Sequence, residues 1–123
     1  MPLALNSMPN ILHMLKEITV ERFDREVIKS KMVALVQFKT EWSGPCQILE
    51  PVYKDLSEAY SGVANFYTVD IEKEQGLDKK YGVMEIPTVL LFINGSVVDH
   101  AVGLFSRNML VAKIENALTS KSN

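Results

Sequence analysis

The chain has 123 residues, 47% of them hydrophobic, which suits one ordinary domain with enough apolar side chain for a packed core. A formal charge of −2 without any Lys/Arg-rich run gives no basis for binding nucleic acid or an acidic membrane surface. No apolar stretch has transmembrane length, and a single cysteine excludes an internal disulfide and a cysteine-built metal site.

Residues 1–15 are fairly apolar, but Pro2, Asn6, Pro9 and Asn10 interrupt them and no basic residue precedes Lys16. That is a poor secretory signal. Residues 1–12 are expected to be a tail, and a lone reduced cysteine fits a cytoplasmic location. Leu12–Ile18 is a candidate first strand. Thr19 can cap a helix running to Ser30, with Phe23, Val27 and Ile28 on one face. Met32–Phe38 is a nearly continuous apolar run and predicts a central strand buried on both faces, with Gln37 its one polar member.

A helix is expected from about Pro45 to Tyr60. Leu49, Val52, Tyr53, Leu56 and Tyr60 form its core-facing stripe. Ser43 is a natural N-cap, Pro45 fits the first turn, and Pro51 predicts a kink. Gly62 ends the helix. Ala64–Ile71 is a second central strand, and Glu74–Tyr81 a short helix closed by Gly82. Thr88–Ile93 is a third strand, entered through Ile86-Pro87. Asn94-Gly95 signals a two-residue hairpin, with Ser96–Val102 as the returning strand. Ser106 caps a last helix that turns Leu110, Ile114, Ala117 and Leu118 to the sheet, before a frayed tail at Thr119–Asn123. The order β-α-β-α-β-α-β-β-α predicts an α/β fold: a mixed parallel/antiparallel sheet with helices on both faces.

The stretch Trp42-Ser43-Gly44-Pro45-Cys46 lies where the buried strand hands over to the helix. Exposed N–H groups at such a turn favour an anion, and a sulfur placed there ionises more readily. This stretch resembles the Trp-Cys-Gly-Pro-Cys loop of the thioredoxin family, with serine for the first cysteine. Pro51, Ile86-Pro87-Thr88 and Gly103 agree with the same family, and the resemblance covers about His13 to Leu118 of a single domain spanning 1–123. It implies a thioredoxin fold with a cis proline at Pro87. It also implies a surface of Trp42, Gly44, Pro45, Ile86, Pro87 and Gly103 that takes an extended peptide or protein segment, the backbone of Ile86 pairing with it.

Thioredoxin chemistry uses two thiols, one to attack a disulfide and one to resolve the mixed disulfide. Cys46 matches the resolving position, and Ser43 occupies the place of the nucleophile. No histidine neighbours Ser43 to activate it, so helix capping is its better reading. The family's buried Asp and its Lys partner correspond to Gln37 and Thr68, neither of which titrates usefully; Lys39 stands where an aromatic residue is common. Losing the first cysteine, the Asp and the Lys together points to a natural chain without dithiol turnover. Two alternatives remain: a monothiol redox protein acting through Cys46 in redox homeostasis, alone or with a partner thiol such as glutathione, and an ordinary thioredoxin carrying a Ser43 substitution. His13 and His100 lack metal-ligand spacing, and the charged stretch 72–80 reads as a solvated helix face. No metal or cofactor is expected, and the chain is expected to be a monomer with a protein or peptide partner.

Overall fold

A computed structural model describes Leu15–Ser122, with the side chain of Ser122 left out. His13, the tail 1–12 and the start of the expected first strand lie outside the described residues.

Five strands carry the domain: β1 (Leu15–Glu17), β2 (Val33–Lys39), β3 (Ala64–Asp70), β4 (Thr88–Ile93) and β5 (Ser96–Val102), in spatial order β1-β3-β2-β4-β5. The pairs β1–β3 and β2–β3 are parallel, while β2–β4 and β4–β5 are antiparallel. This is the mixed sheet expected from the element order.

Both faces of the centre are covered. Val33 and Leu35 of β2 join Phe66, Val89 and Leu91 beneath α2 (Gly44–Ala59) and α4 (Arg107–Ser122). The alternate residues Ala34, Val36 and Phe38 join Tyr67, Val69, Leu90 and Phe92 on the other face, under α1 (Val20–Phe23) and α3 (Leu77–Lys80). The two-residue period of β2 therefore feeds two cores, which is why its sequence reads as one apolar run. On α2, Leu49, Tyr53 and Leu56 are buried, with Val52 and Tyr60 packed at the edge. Full burial of one such side chain is worth about 1.5–3 kcal/mol.

Three elements differ from expectation. The helix after Thr19 changes after one turn into a π-helical segment, Asp24–Ile28, closed by Lys29 N–H donating to the Asp24 carbonyl at 3.0 Å. The wider turn keeps Phe23 and Val27 buried. The helix expected at Glu74–Tyr81 shrinks to Leu77–Lys80, because Gly76 has φ +108°, outside any right-handed helix. Glu74 instead accepts a bond from Val20 N–H at 2.9 Å, at the start of α1. The last helix runs on to Ser122, since no glycine or proline follows Leu118 to stop it. The helix α2 continues through Pro51 to Ala59.

Candidate functional site

Sheet register assembles the site. Phe38 at the end of β2 pairs with Thr88 at the start of β4, and Thr88 pairs with Val102 at the end of β5. The segments carrying Trp42, Ile86 and Gly103 therefore leave the sheet at one end.

The first segment is a helix start. Ser43 is extended (φ −75°, ψ 124°), and its hydroxyl oxygen accepts from Cys46 N–H at 3.4 Å. Its carbonyl accepts from Gln47 N–H at 3.0 Å. Pro45 sits in the first turn, where it has no helical bond to lose. Gln47 Nε2 donates back to the Glu41 carbonyl at 2.8 Å and ties the loop to the helix. Ser43 and Cys46 are both buried, at 6% and 4% exposure, whereas Trp42 is 68% exposed. Gly44 and Pro45 are exposed beside it.

The second segment turns through a cis Ile86-Pro87 bond. Pro87 is buried and Ile86 half-buried. Among the described residues, neither the N–H nor the carbonyl of Ile86 has a hydrogen-bond partner. The turn is held from below instead. Thr88 Oγ1 donates to the Glu85 carbonyl at 2.7 Å, and Gly103 N–H donates to the Pro87 carbonyl at 2.8 Å. Gly103 has φ +77°, which suits glycine.

Sequence periodicity missed three residues at this end. Ile48 (62% exposed), Met84 (94%) and Leu104 (60%) are large apolar side chains left open. For Ile48 a signal existed, since it falls off the buried stripe of α2. Met84 and Leu104 lie in loops, where no period applies.

Behind the loop, Gln37 and Thr68 are register partners on β2 and β3, and both are buried. They line a polar recess of about 260 Å³ together with Tyr53, Glu50 and Lys39. The Tyr53 hydroxyl donates to the Tyr67 carbonyl at 2.8 Å. Burial pushes its pKa well up, against hydrogen bonding to the Tyr67 and Gln37 backbone, so it stays a neutral donor. Gln37 Nε2 and Thr40 Oγ1 are buried without a hydrogen-bond partner among the described residues. Thr40 and Cys46 border a neighbouring recess of about 450 Å³, which also touches Lys39, Glu41, Gln47 and Glu50. No group of three or more His, Cys, Asp or Glu side chains able to hold a metal occurs among the described residues. The side chain of His100 is exposed on β5; Glu72, Lys73, Lys79 and Lys80 are exposed as expected of a solvated face, whereas Glu74 and Asp78 are half-buried.

A mixed five-stranded sheet between two helical layers, with a cis-proline turn at the same end as a Trp-x-Gly-Pro-Cys helix start, defines a protein of the thioredoxin fold. The thioredoxin family profile matches residues 14–116. Thioredoxin of Rickettsia bellii is 36% identical over 103 residues, covering 84% of this chain and 98% of that protein. Thioredoxin 2 of Chlorobaculum tepidum is 36% identical over 99 residues, covering 80% and 91%. Chloroplastic thioredoxin Y2 of Arabidopsis thaliana is 35% identical over 106 residues, covering 86% and 64%. The chain belongs to the thioredoxin family of redox proteins.

Proposed function

We propose that this chain is a protein-binding member of the thioredoxin family that has kept the groove and lost dithiol turnover. The observation that carries this reading is the free backbone of Ile86 at the sheet end where Trp42 stands 68% exposed. A free donor and acceptor in that position suit strand-like addition of a partner segment, in which main-chain bonds give affinity and side-chain contacts give selectivity. Trp42, Ile48, Met84 and Leu104 would supply the apolar contact. Exchange needs a second thiol, and the sequence has one cysteine. Without a covalent bond, the contact should be small, below the ~1,200 Å² of standard interfaces. We place the chain in the cytoplasm on the strength of its single cysteine and propose that it acts as a monomer; no helix among the described residues is long and apolar enough to cross a membrane.

The test is amide NMR during titration with extended peptides. Shifts are expected at residues 42–46, 83–88 and 102–104, and Trp42→Ala should weaken binding. Binding that maps to residues 72–80, or ignores Trp42→Ala, would sink the reading.

The monothiol reading keeps one support, the recess that Cys46 borders. Against it stands the 4% exposure of Cys46. Insulin reduction by dithiothreitol, with and without glutathione, separates the two: glutathione-dependent turnover by this chain would favour the monothiol.

A further inference from the structure

Under the loop that carries Ile86 lies a mainly apolar cleft of about 410 Å³, walled by Tyr81, Val83 and Met84 on one side and by Leu90, Val97 and Val102 on the other. Register explains why it is open. Phe92 and its partner Val97, Leu90 and its partner His100, and Thr88 and its partner Val102 share the face that packs against α1 and α3. Phe23 and Tyr81 cover Phe92, with ring centroids 5.8 and 5.4 Å away. The outer residues keep their surface: Val97 is 42% exposed, Val102 43% and Met84 94%.

We infer that this cleft is a side-chain subsite of the groove, taking a bulky apolar side chain from an extended partner segment whose residue two positions on is a lysine or arginine set against Glu85. The inference rests on the groove reading above. The cleft meets the groove at two lining residues, Glu85 beside Ile86 and Val102 beside Gly103. A segment paired with Ile86 thus crosses its mouth, and side chains that alternate along a strand present one to the cleft. The walls fit an apolar occupant, and Met84 is a thioether that adapts to different shapes. Charge selects the next side chain on the same face of the segment, two residues away. The Glu85 carboxylate has no ion pair or hydrogen bond among the described residues, and the only other ionisable groups lining the cleft are the His100 imidazole and the Tyr81 phenol. Thr88 Oγ1 is already engaged with the Glu85 carbonyl.

The test uses acetylated ten-residue Ser/Thr peptides with Leu-Ser-Lys, Ala-Ser-Lys, Leu-Ser-Glu or Ala-Ser-Glu at the centre, titrated into labelled protein. Leu-Ser-Lys should bind tightest. Ala for Leu should weaken binding about tenfold and remove shifts at Val97 and His100 while leaving those at Trp42 and Ile86. Glu for Lys should weaken it about threefold, and Glu85→Gln should erase that difference. Met84→Ser, a change at an open surface position, should weaken binding of the Leu peptides in the same direction. Equal binding of all four peptides with shifts at Trp42 and Ile86 would overturn the cleft and leave the groove standing. Shifts at Val97 and His100 without Ile86 would overturn the groove reading and, with it, the cleft as its subsite. Shifts at neither would overturn both.

Discussion

The hydroxyl oxygen of Ser43 accepts a hydrogen bond from the backbone N–H of Cys46, 3.4 Å away. The Ser43 oxygen thus serves the helix start. Replacing a Ser, Thr, Asn or Asp N-cap by Ala costs about 1 kcal/mol. Ser43→Ala should therefore lower stability by about that much in a denaturant titration, with an unchanged m-value. An unchanged midpoint would show that the cap is dispensable.

Ser43→Cys should form a bond to Cys46 without giving full thioredoxin turnover. The spacing is the family's own, so a 43–46 disulfide is expected under oxidising conditions. Gln37 and Thr68 would still leave proton transfer unassisted, since neither side chain titrates. General acid–base help is typically worth ~10²–10⁴-fold. Adding Gln37→Asp should raise insulin-reduction turnover well above that of Ser43→Cys alone. Equal rates for the two variants would remove Gln37 from the account.

Cys46 is 4% exposed, so iodoacetamide should label the native protein much more slowly than the unfolded chain. Similar rates would show that the recess admits the reagent and would shift weight to monothiol chemistry.

Asp99 on β5 joins Lys113 on α4, with Nζ–Oδ1 at 3.0 Å. Burial acts to raise its pKa. The hydrogen bonds from Lys113 and the His100 N–H, with the nearby charges of Lys113 and His100, act the other way, and the net shift is downward. A lowered carboxylate contributes stability that is present above its unfolded value of ~3.9 and lost as pH falls through the folded value. Both side chains are about a third exposed or less, and such a pair near the surface is worth about 1 kcal/mol or less. Asp99→Asn should cost that much at pH 7, and the difference should fade below pH 4. A gap that persists at pH 2.5 would assign the loss to packing.

The legible parts of the fold were those that local chemistry decides. The Asn94-Gly95 turn and the bounds of β4 and β5 follow from turn residues and apolar runs. The same holds for the caps at Thr19, Ser43 and Ser106, each of which accepts its expected N–H. The π-helical segment at Asp24–Ile28 has no residue pattern of its own. The shortening of the Glu74–Tyr81 helix turned on one glycine whose φ no composition reveals. At the site, the family pattern pointed to Trp42, Ile86 and Gly103. It could not point to Met84, or to the unpartnered Gln37 Nε2, because exposure and orphaned donors depend on which loops the register brings to one end of the sheet.

The hairpin turn offers the sharpest test of the packing. Asn94 and Gly95 both have positive φ, +50° and +83°, as a two-residue turn between twisted strands requires. Gly95 also faces the end of the π-helical segment. A Cβ there would lie 2.9 Å from the Ile28 carbonyl oxygen and 3.0 Å from Ile28 Cγ2. Gly103 has a similar φ of +77°, but a Cβ there would meet nothing within 4 Å. The two glycines share the backbone term, about 1–2 kcal/mol for placing a side chain in the left-handed region. Only Gly95 adds a collision with backbone. Gly103→Ala should therefore cost about 1–2 kcal/mol, and Gly95→Ala clearly more, with the excess measuring the contact between the hairpin and Ile28. Equal losses in matched urea titrations would mean that the hairpin can lift from Ile28 freely, and that the turn alone requires glycine there.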